Sequence, residues 1–172
     1  MYVGSISVDF NGIVLFDPDG LNRLFGPIAE GTDLFTRFIT TEEGDEVLKR
    51  GLIVPVLAID DGEYEVVVRL PNEESPVRGS ILVENGIFPF RVDRRAVLAD
   101  LAVLKEWIPE MGWTNVPVPK GSYAVTIRGY TQLDPLKGEI ANAGYEFVLA
   151  PVMQLPVVSG ETGKNMRVLR LE

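Results

Sequence analysis

The chain contains no histidine and no cysteine in 172 residues. Histidine is the side chain that normally changes charge near neutral pH, so its absence removes the commonest general acid–base group. Without cysteine there is no thiolate nucleophile and no disulfide. Without either there is no Cys or His ligand for zinc, haem or an iron–sulfur cluster. Long hydrophobic runs are missing too. The longest apolar stretches, Leu52–Ile59 and Phe147–Val158, are short for a bilayer span and contain proline. The opening Met1-Tyr2-Val3-Gly4-Ser5 lacks the basic start and apolar run of a signal peptide. The expectation is a soluble cytoplasmic protein of one domain, with no membrane partner and no implied cofactor.

Charge is plentiful but lopsided. The net charge is −9. Residues 30–74 hold twelve acids against four bases, whereas residues 77–172 hold ten acids against eleven bases. One middle segment therefore carries nearly the whole excess. Such a field repels phosphate backbones, which argues against direct nucleic-acid binding, and attracts a basic protein partner. An apolar fraction of 46% leaves enough material for an ordinary core.

Four turn-forming dipeptides punctuate the chain: Asn11-Gly12, Asp61-Gly62, Asn85-Gly86 and Lys120-Gly121. Asn-Gly and Asp-Gly suit two-residue hairpins, because both central positions need positive φ. Alternating apolar residues flank them, as in Ile6, Val8 and Phe10, or Tyr64, Val66, Val68 and Leu70, or Tyr123, Val125 and Ile127. These spacings predict antiparallel strands joined by hairpins. Asn72–Pro76 reads as one more hairpin loop, and Met166–Leu171 as a last strand. The fold class is mainly β: an antiparallel β-sandwich or barrel. One α-helix is expected as an insertion around residues 94–108, where Val97, Leu101, Leu104 and Ile108 recur at helical spacing behind Asp93 as N-cap. A second, short helix fits Leu21–Phe25, and Trp107 and Trp113 would pin the longer helix to the sheet.

No constellation stands out as a catalytic site. Asp17-Pro18-Asp19-Gly20 has the start of a calcium loop but lacks the third acid and the bidentate Glu, so turn chemistry explains it better. Serines lack a G-x-S-x-G elbow. Gly160-Glu161-Thr162-Gly163-Lys164 is too short between glycines for a phosphate loop. Glu42-Glu43-Gly44-Asp45-Glu46 is the densest charge cluster and reads as an exposed loop, with Asp60 and Asp61 at a hairpin tip.

Three segments together resemble the competence protein J family of small bacterial β-proteins. They are Ile6-Ser7-Val8 with Val14-Leu15-Phe16, then Val83-Glu84-Asn85-Gly86-Ile87, then Val118-Pro119-Lys120-Gly121-Ser122-Tyr123. The resemblance implies a non-enzymatic protein that binds and inhibits a nuclease. It transfers no individual functional residue, and the chain departs from the family pattern in the helix expected after Asp93 and in its longer acidic segment. The expected function is a protein-binding module, an acidic inhibitor or immunity-type protein of a basic nuclease or toxin. The contacts would be Glu42, Glu43, Asp45, Glu46, Asp60, Asp61, Glu63 and Glu65. The alternatives are an assembly component of an oligomeric particle, or a carboxylate-based enzyme acting on glycans or with a metal.

Overall fold

The computed structural model describes residues 1–169. Nine strands form two sheets: β1 (Tyr2–Val8), β2 (Gly12–Phe16), β3 (Ile53–Leu57), β4 (Gly62–Arg69), β5 (Ser80–Val92), β6 (Ala96–Asp100), β7 (Thr114–Val116), β8 (Gly121–Leu133) and β9 (Ile140–Val152). The first sheet has the order β1-β4-β9-β8-β5 and the second the order β3-β2-β6-β7. All pairs are antiparallel except β4 with β9, which run parallel. Four helices, α1 (Pro18–Phe25), α2 (Leu34–Thr40), α3 (Glu43–Lys49) and α4 (Ala102–Lys105), complete the chain. The expected sandwich is present, and neither sheet closes into a barrel.

Two apolar layers hold it together. One lies between the sheets and includes Ile13, Leu15, Tyr64, Val66, Phe88, Phe90, Val125, Phe147 and Leu149. The other joins the outer face of the second sheet to the helices through Val14, Phe16, Leu21, Leu34, Val47, Val97 and Trp107. The second sheet is therefore buried on both faces. That explains why the expected helix at 94–108 is instead strand β6, followed by the single turn α4. Ala96 and Leu98 enter the inter-sheet core, while Val97 and Ala99 enter the helical layer. A strand buried on both sides loses its period of two and reads as a continuous apolar run. Asp93 is not a helix cap here. Its carboxylate instead takes Arg23 and Arg91. Trp107 is 1% exposed and packed against Phe16 and Trp113, but the longer helix that these tryptophans would pin is absent.

The four dipeptides make no hairpins. β1 pairs with β4 and β2 with β3, so residues 2–16 and 53–69 form one long ribbon, bent where 9–11 faces 58–61. The first half of the ribbon lies in one sheet and the second half in the other. Asn11 and Ala58 turn this corner with φ of 52° and 55°. Asn11-Gly12 and Asp61-Gly62 thus sit at one corner, where the left-handed backbone their residues tolerate is needed for a bend rather than a reversal. A second ribbon repeats the design. β5 pairs with β8 and β6 with β7, and it bends where 93–95 faces 117–120, which holds Lys120-Gly121. Asn85-Gly86 lies inside β5, at a register shift between Gly86 and Phe88. The two ribbons meet through β2 and β6. Both sheet orders therefore read as a twofold repeat, with β9 the unmatched strand.

Two connections differ from expectation as well. Residues 70–79 are no hairpin loop, because β4 and β5 are three strands apart and point the same way. The segment has to carry the chain back along the first sheet, and Arg69 anchors it by donating to the carbonyls of Leu70 and Glu73. Met166–Leu169 forms no ladder. It is a tail whose Met166 and Val168 plug the inter-sheet core, with the Tyr145 hydroxyl donating to the Met166 carbonyl at 2.7 Å. The remainder of the strand expected there, Arg170 and Leu171, lies outside the described residues.

Candidate partner-binding surface

The eight acids expected to contact a partner fall into three places. Glu42, Glu43, Asp45 and Glu46 belong to α3 and its cap, not to a loop. This acidic segment can be helical because its carboxylates lie in the first turn, where the exposed amides favour negative charge, and because Val47 anchors the opposite side in the helical layer. Gly44 allows the approach: a Cβ there would lie 2.0 Å from the Phe38 carbonyl oxygen of α2. Glu43 is committed to Arg37, and Glu46 to Arg50. The Arg50 guanidinium beside Glu46 holds its carboxyl below the usual range. Glu42 and Asp45 are exposed, and their side chains take no hydrogen bond or ion pair among the described residues.

Asp60, Asp61 and Glu63 occupy the corner of the first ribbon. The Asn11 amide donates to Asp61 at 2.9 Å, the Asn11 side-chain amide donates to the Ile59 carbonyl at 3.0 Å, and Arg167 pairs with Asp60 at 3.6 Å. The Tyr64 hydroxyl donates to the Asp60 carbonyl. Burial pushes that phenol up to about 12, with the charges of Asp60 and Asp61 adding to the effect. Folding brings two further acids here. Asp9 follows Val8, the last residue of β1 in register with β4, and Asp100 accepts the Asp9 amide at 3.0 Å. Sequence spacing could not mark Asp9 or Asp100, since nothing in it says that the two turn dipeptides share one corner. Glu63 is exposed beside Ser7, and neither its carboxylate nor that of Asp9 has a partner among the described residues.

Glu65 is different. It faces outward from β4 opposite Ser5, but accepts the Tyr130 hydroxyl. Gly144 makes room for that ring, because a Cβ there would sit 2.7 Å from the Tyr130 oxygen and 2.2 Å from the Glu65 carbonyl. Burial raises the Tyr130 phenol well above its ordinary value, and the hydrogen bond to Glu65 and the charges of Glu65 and Glu146 raise it further. Beside it, Arg69 and Glu146 form a buried ion pair, with side chains 9% and 1% exposed. Arg69 fastens the start of the 70–79 return to the sheet, while Glu65 is engaged by the Tyr130 hydroxyl. No hydrogen bond or ion pair links the α3 acids to the corner acids among the described residues.

Asp17 has a structural task. Its fully buried carboxylate accepts from the amides of Asp19, Asp93, Arg94 and Arg95 at 2.8–3.4 Å, tying α1 to the second corner. Among the described residues no three acids stand close enough to share a metal ion. A broad open groove of about 1090 Å³ runs along Arg78, Ser80, Leu82, Gln132, Asn165 and Arg167, without a carboxylate in its wall among the described residues.

No protein-family model matches the chain. No curated protein matches it either. Solved structures do. ComJ from Bacillus subtilis, described as an inhibitor of the DNA-degrading activity of NucA, superposes with a TM-score of 0.52 at 16% identity, over 88% of this chain and 96% of that one. A protein described as crocagin biosynthetic gene J has a TM-score of 0.47 at 16% identity, over 87% and 94%. The resemblance to the competence protein J family is thus present at the level of fold.

Proposed function

We propose that the chain is a protein-binding inhibitor that occludes a basic nuclease or toxin and performs no bond-making itself. The observation that carries the proposal is the fold shared with ComJ over nearly the whole length of both chains. Two features of the residues support it. The net charge of −9 suits a partner whose nucleic-acid cleft is basic. Several carboxylates, Glu42, Asp45, Asp9 and Glu63, are exposed and uncommitted among the described residues, so a partner's lysines and arginines need displace no ion pair there. Folds carry many functions, so the partner has to be identified by binding rather than by topology.

The test is titration of the purified protein into a panel of basic nonspecific nucleases, NucA included, with DNA degradation as readout. Stoichiometric inhibition is expected for at least one, with an association rate that falls as salt rises, because exposed charges are screened over about 8–10 Å at physiological ionic strength. Full nuclease activity at saturating protein throughout the panel would defeat the proposal, and so would inhibition with a salt-insensitive association rate.

A further inference from the structure

A sandwich of two open sheets has four edges, and in this protein three are managed. β3 is almost wholly buried and carries Pro55, which has no amide to offer. β7 is three residues long. β5 is covered by the chain itself over Glu84–Ile87: Ser159 and Gly160 donate to the Ile87 carbonyl, the Ile87 amide donates to Ser159 Oγ, Asn85 exchanges two hydrogen bonds with the Glu161 backbone, and Lys164 reaches the Glu84 carbonyl. β1 is left bare. It is seven residues long and has no proline and no charge between Tyr2 and Val8. Its only ladder is with β4, so alternate amides and carbonyls on the far side have no partner among the described residues. Val3 is 48% exposed. Such an edge is a template for another strand.

We infer that β1 takes an extended strand from the partner, and that this strand is basic. The inference rests on the inhibitor reading for the partner's identity, but not for the pairing itself. Two facts choose the occupant. In the twofold repeat of the ribbons, β5 is the counterpart of β1, and its edge already holds a segment of chain, residues 159–164, through main-chain and side-chain hydrogen bonds. Carboxylates flank the β1 edge: Glu63 and Glu65 lie beside Ser7 and Ser5 on the outward face, and Asp9, Asp61 and Asp100 at its end. A strand laid along β1 gains main-chain hydrogen bonds, and alternate side chains on its outward face approach this acidic row. Lysine or arginine at every second position fits. A second copy of this chain would instead bring a second carboxylate-flanked edge from a chain of net charge −9.

The probe is a nine-residue peptide, Lys-Val-Lys-Thr-Lys-Val-Lys-Thr-Lys, measured against the full chain by fluorescence anisotropy and by amide chemical shifts. Two control peptides go with it, one with glutamate for lysine and one N-methylated at alternate residues to remove one row of donors. Binding with shifts confined to Tyr2–Val8 and to the flanking acids Asp9, Asp61, Glu63, Glu65 and Asp100 is expected, weakened at least tenfold by N-methylation and abolished by glutamate. Equal affinity of the N-methylated peptide would mean charge attraction without strand pairing and would overturn the inference. Shifts elsewhere, or a protein dimer that forms through β1 and excludes the peptide, would do the same. Glu63→Gln should weaken the peptide several-fold while leaving the fold intact. The nuclease titration separates the two claims. Peptide pairing without nuclease inhibition leaves the edge standing and removes the inhibitor reading. Nuclease inhibition that persists when the peptide cannot pair does the reverse.

Discussion

At the scale of single residues, two acids that composition alone would assign to the surface, Asp17 and Glu146, are buried and tie segments of the sandwich together. Asp17 accepts four backbone amides from two segments more than seventy residues apart. Asp17→Ala would leave those donors buried and unsatisfied, at about 1–3 kcal/mol for the first and less for any that find water. A loss of about 3 kcal/mol is expected in a urea unfolding curve. Asp17→Asn, which keeps one acceptor oxygen, should lose less. An alanine variant as stable as the parent would show that the second corner does not depend on this carboxylate. The sequence shows Asp17 only as one letter of a turn. Its main partners follow from the meeting of α1 with the β5–β6 corner, which local spacing does not encode. The buried Arg69–Glu146 pair was equally invisible, because 25 acids offer too many pairings for any one to stand out.

At the scale of elements, most strands were legible, but β6 read as helix, Met166–Leu169 read as a strand it does not form, and strand connection was not legible. The alternation of Tyr64, Val66 and Val68, and of Tyr123, Val125 and Ile127, marks residues that face the inter-sheet core in β4 and β8. Turn dipeptides mark where positive φ is needed, but a bent ribbon and a hairpin need it alike. Asn11 tests the corner. Asn11→Ala places an ordinary residue at φ 52° and removes the hydrogen bond to Ile59, which should cost about 1–2 kcal/mol. Asn11→Gly relieves the backbone and should cost less, so the order of the two urea midpoints is the check. The helices give a pH prediction. Asp33 caps α2, and its carboxyl is held down to about 2, chiefly by the Lys105 hydrogen bond and then by the amide and hydroxyl of Thr36. A carboxyl whose folded pKa is depressed stabilises the fold above its unfolded value, and that contribution is lost as pH falls through the folded one. The α2–α4 contact should therefore hold down to about pH 4 and weaken between there and about pH 2. Lys105→Met should shift the Asp33 titration, read by NMR, upward.

At the scale of the whole molecule, the twofold repeat of bent ribbons gives each corner its own charge. The first carries Asp9, Asp60, Asp61, Glu63 and Asp100, while the second carries Arg91, Arg94 and Arg95 around Asp17 and Asp93. The acidic excess of residues 30–74 was visible in the sequence. Its division between α3 and the first corner was not, because that depends on β3 running between them and on Asp9 and Asp100 arriving from other parts of the chain. A rigid partner steered to one of these groups should feel little of the other beyond a Debye length. Two double variants separate them without disturbing any internal pair, since all four carboxylates are uncommitted among the described residues. Asp9→Asn with Glu63→Gln should lower the association rate for an inhibited nuclease several-fold and flatten its salt dependence. Glu42→Gln with Asp45→Asn should leave both within about twofold. The opposite ranking would place the partner on the helical face of the second sheet, and β1 would then lie away from the interface.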